Sequence, residues 1–230
     1  MNLCLVAVML VVVFFSIAIH EVAHGYAALA LGDDTAKVRG RLTLNPIKHF
    51  EPIGTLCMIF CGIGWAKPVP VDARRFKNPK KGMAITALAG PMTNLILGIA
   101  FTVNLSVITW LYTMNLVAGF SIPLINQMSY DVYLLIVNSL YIALYYNLIM
   151  AVFNLLPLPP FDGSRIMLAF LPQDKYFKIM RYEGIIMLFV FLLVWMGFFT
   201  GIFEFFADLI IDGVSTVIYA LLNALYKAVI

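Results

Sequence analysis

The fold is decided by residues 3–31, which read LCLVAVMLVVVFFSIAIHEVAHGYAALAL. About 20 apolar residues are enough for an α-helix to cross a bilayer, and this run exceeds that length. No basic residues precede the run and no small-residue cleavage site follows it, so we expect it to be retained as a span rather than removed as a signal peptide. Its C-terminal half carries three ionisable residues, which are His20, Glu21 and His24.

The composition of the whole chain also indicates a membrane protein. Of the 230 residues, 63% are hydrophobic and only 12% are charged, whereas about a quarter are charged in soluble domains. The net charge of +3 is too small and too scattered to indicate a nucleic-acid partner. We therefore expect the lipid bilayer to surround most of the chain.

The remaining apolar runs predict an all-α polytopic membrane protein with about four to six transmembrane helices. We expect residues 1–230 to form a single membrane-embedded domain, with spans near 3–31, 83–112, 132–156 and 184–204. The tail 205–229 contains three charged residues, so it is either an additional span or a helix lying in the membrane interface. Residues 51–71 include an apolar run too short to span, which predicts a re-entrant or β-like membrane-associated segment.

The distribution of lysine and arginine predicts the orientation. The segment 65–82 carries six of these residues, whereas the connection 113–131 carries none. Because cytoplasmic loops are enriched in lysine and arginine, 65–82 should be cytosolic and 113–131 should lie outside. We therefore expect a multi-pass protein of the cell membrane whose first helix runs inward.

The segment His20-Glu21-Val22-Ala23-His24 has the form HExxH. On a helix, residues four apart lie on nearly one face and about 6 Å apart along the axis, so two imidazoles can bind one metal ion. Glu21 then projects beside the metal, where it can take a proton from water. The motif predicts one Zn²⁺ per chain, with His20 and His24 as ligands and Glu21 as the catalytic base.

Two histidines leave a catalytic zinc ion one protein ligand short. The best candidate is Asp162, which follows the third predicted span, although Asp162-Gly163 after the preceding prolines also fits an ordinary turn. The histidines lie about 26 Å along an inward-running helix, and Asp162 lies near the inner end of its span, so their depths agree. Asp131 is on the opposite side. Weaker candidates are Glu51 and His49.

With these features, the chain resembles the site-2 protease family of intramembrane zinc metalloproteases, peptidase family M50. Three stretches carry the main resemblance, which are the HExxH segment, Gly90-Pro91-Met92-Thr93-Asn94, and Asn154 to Gly163. Two further stretches, Gly40 to Pro46 and Gly64 to Pro70, are similar to those of short prokaryotic members without a PDZ or CBS domain.

The resemblance implies that Asp162 is the third zinc ligand and that Asn154 lies near the scissile bond, where it contacts substrate backbone or the oxyanion. Asn94 would lie beside the core helices, with a hydrogen bond between helices as an equal alternative to a catalytic role. The resemblance also implies that residues 51–71 guide an unwound substrate by strand addition, although a plain connecting loop fits the sequence equally well.

The favoured function is an endopeptidase that cuts within the transmembrane segments of membrane-anchored proteins, either as a monomer or as a homo-oligomer. A second function is that of a membrane protein that binds or carries a metal without catalysis. A transporter would require intramembrane polar groups at several depths, whereas in this sequence they cluster at one depth. Two more functions fit less well. They are an inactive scaffold, which the intact Glu21 argues against, and a different HExxH membrane protease such as a prenyl-protein endopeptidase, which lacks the Asp162 context.

Overall fold

The structure is a computed structural model, which describes residues 3–61, 64–117, 123–167, 169–172, 175, 178–179 and 181–229. These residues are mostly helical and contain no β-strand. Helices satisfy all backbone hydrogen bonds within one segment, which hydrocarbon requires of any chain that crosses it. The prediction of an all-α polytopic membrane protein is confirmed.

Four of the described helices are long and apolar enough to cross a membrane. They are α1 (Leu3–Ala30), α4 (Pro79–Val117), α6 (Tyr130–Asn154) and α9 (Thr200–Val229). The first three coincide with the predicted spans 3–31, 83–112 and 132–156, because each is a long apolar run bounded by polar or turn-forming residues. Helix α1 ends at Ala30, and the turn that follows contains Gly32, whose φ of 102° is a conformation that glycine adopts without steric cost.

The fourth predicted span, 184–204, is not one helix. The structure has α8 (Glu183–Trp195) followed by a turn, and α9 begins at Thr200. Gly197 has a φ of 76°, its N–H donates to the carbonyl of Val194, and the N–H of Phe198 donates to that of Leu193. This pair of bonds is the Schellman motif that ends helices. Consequently the ambiguous tail 205–229 belongs to α9, which is long enough to span.

Short elements occupy the connections between the long helices. They are α2 (Thr35–Val38), α3 (Pro52–Cys61), α5 (Pro123–Asn126), α7 (Asp162–Met167) and the 3-10 turns Pro46–His49 and Ala73–Arg75. The segment 51–71, which we expected to be re-entrant or β-like, begins as helix α3. Its last part, residues 64–71, has no regular secondary structure.

The chain divides into two compact units, and each is considered by itself. One unit comprises the described residues within Met1–Val13, Leu95–Ile149 and Glu204–Ile230. Its core forms where Leu144 and Leu148 of α6 pack against Ala207 of α9. The other unit comprises Phe14–Asn94 and Met150–Phe203 and contains the HExxH segment and Asp162. The single-domain organisation stays a prediction.

Candidate metal centre

His20, His24 and Asp162 converge on one point. The Nε2 atoms of the two histidines lie 3.1 Å apart, and each is 3.1 Å from Oδ2 of Asp162. All three residues are buried. Among the residues that the structure describes, they are the group of three His, Cys, Asp or Glu ligands close enough to share one ion.

The separations fit a tetrahedral zinc site. With metal–ligand distances of about 2.0–2.1 Å, neighbouring ligand atoms of a tetrahedron lie about 3.3–3.4 Å apart, close to the 3.1 Å found here. Two imidazole nitrogens and one carboxylate oxygen are also the donor set of many catalytic zinc sites, which leave a fourth position open. The side chains therefore fit zinc in both geometry and chemistry.

The tautomers of both histidines are set by their second ring nitrogens. Nδ1 of His24 donates to the backbone carbonyl of Thr86 at 2.7 Å, and Nδ1 of His20 donates to Oδ1 of Asn94 at 2.5 Å. A carbonyl oxygen only accepts, so each proton is on Nδ1 and each Nε2 keeps its lone pair for a metal. Asn94 is itself oriented, because its Nδ2 donates to Sδ of Met150 at 3.6 Å.

Helix α4 presents its backbone to the two imidazoles. A β-carbon on Gly90 would lie 2.5 Å from Nε2 of His24 and 2.6 Å from Cε1 of His20. Thr86 and Asn94 are four residues before and after Gly90, so the three residues lie on one face of α4. On this face the Thr86 carbonyl accepts from His24, Gly90 packs against both rings, and Asn94 accepts from His20. This spacing gives a structural reason for glycine at position 90 and asparagine at position 94. The Thr86 contact was missed by sequence reasoning, since a backbone carbonyl has no sequence signature.

Asp162 is the first residue of α7, and the start of α7 packs closely on the backbone that follows α6. A β-carbon on Gly163 would overlap the carbonyl oxygens of Leu155 and Leu156. The φ of Gly163 is not positive, so this glycine is required for close packing of α7 on the end of α6. The ordinary turn that the sequence also allowed at Asp162-Gly163 is instead the first part of α7.

Glu21 lies next to His20, a predicted ligand, on α1, and its carboxylate binds a different part of the chain. Oε2 accepts a hydrogen bond of 2.7 Å from the backbone N–H of Val69. Val69 belongs to the irregular segment after α3. The predicted catalytic base is thus held by the backbone of one of the stretches that carried the family resemblance.

The other predicted site residues lie elsewhere. Nδ2 of Asn154 donates to the carbonyl of Met150 in its own helix at 3.0 Å, so its role near the scissile bond stays a prediction. His49 binds the carbonyl of Thr43 through Nε2, and Glu51 accepts from the N–H of Gly54 at the start of α3. Neither weaker candidate belongs to the three-ligand group.

A second buried carboxylate lies just beyond α1. Asp33 accepts hydrogen bonds from the hydroxyl of Thr35 and from the backbone N–H groups of Thr35 at 3.0 Å and Asp72 at 2.7 Å. Nε of Arg75 is 3.8 Å away. Burial opposes ionisation, but these partners outweigh it and hold the pKa of the Asp33 carboxyl below its usual range. The ionised Asp33 ties residue 72 to the end of α1.

Comparisons with known proteins relate the chain to a family and to three curated proteins. The sequence model of peptidase family M50 matches residues 8–197. The chain is 41% identical over 183 residues to "Putative zinc metalloprotease YwhC" of Bacillus subtilis, covering 79% of this chain and 77% of that protein. It is 27% identical over 177 residues to "Zinc metalloprotease MJ0392" of Methanocaldococcus jannaschii, covering 74% of this chain and 36% of that protein.

A shorter similarity joins the chain to a third relative. "Putative zinc metalloprotease Rip2" of Mycolicibacterium smegmatis is 32% identical over 89 residues, or 36% of this chain and 34% of that protein. No solved structure matches.

Proposed function

Since the chain belongs to peptidase family M50, we propose that it is a zinc-dependent endopeptidase that hydrolyses peptide bonds within the transmembrane segments of membrane-anchored proteins. The observation that carries this proposal is the convergence of His20, His24 and Asp162 at 3.1 Å, with both histidines on a helix long enough to span a membrane. Ionisable groups inside such a helix are costly and are usually functional.

The three converging side chains would hold one zinc ion per chain. When bound, zinc supplies a Lewis acid that polarises the scissile carbonyl and makes water a nucleophile at neutral pH. Asn94 and the Thr86 carbonyl keep the imidazoles in the tautomer that exposes Nε2. Gly90 leaves room for both rings beside α4.

Glu21 is the group that takes the proton from the attacking water and returns it to the leaving amine. It follows the ligand His20 by one residue, so it lies beside the metal ligands without being one of them. Asn154, at the end of α6, would bind the substrate backbone or the oxyanion, as the family resemblance implies.

The substrate class follows from the physics of the bilayer. A helical span hides its carbonyl groups in hydrogen bonds, and hydrocarbon offers them no other partner. Cleavage therefore requires a span that unwinds locally, so single-span substrates with Gly, Pro or Asn near the cut are expected. The basic segment 65–82 favours the cytosolic side for the site, in a multi-pass protein of the cell membrane.

The decisive experiment compares wild-type protein with Glu21→Gln on a purified single-span substrate. Products are identified by mass spectrometry and zinc is measured by elemental analysis. We expect wild type to cut within the span, toward its cytosolic end. Glu21→Gln should keep about one zinc ion per chain, because Glu21 is not a ligand, and should lose cleavage.

A matched control is Glu51→Gln, which removes a carboxylate that lies at the start of α3 rather than in the three-ligand group. It should retain both zinc and cleavage. Full activity in Glu21→Gln would exclude the assigned base. Cuts confined to soluble loops would exclude cleavage inside the span, even with zinc present.

A further inference from the structure

The irregular stretch 65–72, called the cap segment, is held to the rest of its unit by hydrogen bonds at three places. Two belong to neighbouring loops and one is the carboxylate of Glu21. The family resemblance includes the stretch from Gly40 to Pro46, which contains Arg41, and the stretch from Gly64 to Pro70, which overlaps the cap segment. The proposed zinc ligands account for neither stretch.

The first attachment is a clamp made by Arg41. Its Nη2 donates to the carbonyl of Lys67 at 2.7 Å and to that of Pro68 at 3.3 Å. The backbone N–H of Lys67 donates to the carbonyl of His49 at 2.9 Å. Residues 67 and 68 are therefore fixed by three hydrogen bonds immediately before Val69.

The second attachment is at the far end of the cap segment. The N–H of Asp72 donates to Oδ2 of the buried Asp33 at 2.7 Å. Between the two attachments, Val69 is buried, and its Cγ1 would lie 3.1 Å from a β-carbon on Gly25 of α1. The middle of the cap segment is thus packed directly on the helix that carries Glu21.

The third attachment joins the segment to the catalytic base. The N–H of Val69 donates to Oε2 of Glu21 at 2.7 Å. Both neighbours of Val69 are prolines, Pro68 and Pro70, which have no N–H and which restrict the backbone to extended conformations. Within 68–70 the Val69 amide is therefore the sole backbone donor, on a stiff stretch.

We propose that the Val69 amide, fixed by the Arg41 clamp, orients Glu21 for proton transfer. Holding Oε2 limits rotation of the carboxylate and leaves Oε1 to take the proton, as when a third group orients a general base. Val69 and Arg41 are positioning residues in this scheme, because they act through Glu21. The inference rests on the proposed function, since it concerns the base of that reaction.

The first test compares Val69→Pro with Val69→Ala. Proline removes the N–H at a position that already precedes a proline, whereas alanine keeps the N–H and shortens the side chain. Since a general base contributes about 10²–10⁴-fold to rate, we expect Val69→Pro to lower kcat by about tenfold to a hundredfold with KM within about twofold. Zinc content should stay unchanged, and Val69→Ala should retain most of kcat.

Two results of this comparison would overturn the inference. Equal kcat in Val69→Pro and Val69→Ala would show that the backbone N–H of residue 69 does not assist Glu21. A rise in KM at unchanged kcat would assign the segment to substrate binding instead.

The second test uses Arg41, so that it does not depend on how Val69→Pro folds. Arg41→Ala should lower kcat with zinc retained, and Arg41→Lys should restore part of it, because an ammonium group can still donate to a carbonyl. Arg39→Ala removes the same charge two residues away, from an exposed side chain, and should leave kcat unchanged. Equal losses of kcat in Arg39→Ala and Arg41→Ala would show that the effect comes from the positive charge of the loop and would contradict the clamp.

A third measurement is independent of protease activity. Hydrogen–deuterium exchange of the peptide containing residues 64–72 reports on the Val69 amide in membrane-embedded protein. Glu21→Ala should release one additional fast-exchanging amide in this peptide, and Arg41→Ala should do the same. Unchanged exchange in both variants would overturn the inference. Faster exchange of the Val69 amide in both variants, together with a wild-type protein that cuts no substrate, would establish the contact between Val69 and Glu21. It would contradict the proposed function.

Discussion

Gly90 lies so close to the imidazole of His24 that a β-carbon on the glycine would come within 2.5 Å of the ring. The same carbon would meet His20 at 2.6 Å. Real β-carbons are essentially never found at such distances, so the backbone or both rings would have to move. The absence of a side chain at position 90 is therefore required for this placement of the two imidazoles.

Gly90→Ala should lose zinc and cleavage together. The methyl group displaces imidazoles whose Nε2 atoms must stay about 2.0–2.1 Å from the metal. Zinc content and turnover on a single-span substrate measure the effect. Gly98→Ala is the control on the same helix, because its β-carbon would meet Leu148 instead. It should lower thermal stability while retaining zinc, and equal zinc loss in both variants would point to a general packing defect.

Asn94→Ala should weaken zinc binding without removing a ligand. It leaves the Nδ1–H of His20 without its acceptor, and such outer partners are typically worth about 10–100-fold in metal affinity. Competition with a chelator measures that affinity. Asn94→Asp keeps an acceptor and should retain more affinity than Asn94→Ala. Asn104→Ala, on the same helix but bonded to its own backbone, should have no effect, and unchanged affinity in Asn94→Ala would refute the assignment.

The sequence was sufficient for features that depend on local spacing. His20 and His24 share a face because they are four residues apart, and three spans follow from long apolar runs. The choice of Asp162 as the candidate third ligand rested instead on the charge distribution, which indicated the depth of each span end. The structure brings its carboxylate within 3.1 Å of both histidines. The break at Gly197 was missed, because a glycine in an apolar run is compatible with a continuing helix until its φ is known.

Contacts made by the backbone could not be predicted from the sequence. The Thr86 carbonyl and the Val69 N–H are groups that every non-proline residue carries, so their identity gives no signal. Both are long-range contacts, which only the packing of α4 and of the cap segment on α1 brings about. A hydrogen bond between helices was one of two predicted roles for Asn94, and the structure has this bond between Asn94 and His20. Asn94 can reach His20 because it lies one turn after Gly90 on the same face of α4.

Asp162→Ala should remove most bound zinc and abolish cleavage. The carboxylate is 3.1 Å from both Nε2 atoms, so its loss leaves two protein ligands where catalytic zinc uses three. Elemental analysis and product mass spectrometry check the result. Asp131→Ala, at the start of α6, removes a carboxylate from the other unit and should change neither quantity. Retained zinc in Asp162→Ala would mean that the third ligand is another residue.

The buried Asp33 should make stability depend on pH. Its folded-state pKa is lowered, so its contribution is present above the unfolded-state pKa of about 3.9. That contribution is lost as pH falls through the folded-state pKa. Asp33→Asn should therefore lower Tm most near neutral pH, and its difference from wild type should shrink below about pH 4. Asp212→Asn, an exposed residue of α9, is the control, and a pH-independent difference for Asp33 would contradict the linkage.

Labelling of single cysteines tests the orientation on which the cytosolic placement of the site depends. The native Cys4, Cys57 and Cys61 are first replaced, and retained cleavage by that background is verified. Gln127, which precedes α6, and Lys77, which precedes α4, are both exposed and lie on opposite sides in the predicted topology. In intact cells, an impermeant maleimide should label Gln127→Cys and should label Lys77→Cys only after permeabilisation. The reverse pattern would place the basic segment 65–82, and the inner ends of α1 and α6 with it, on the outer face.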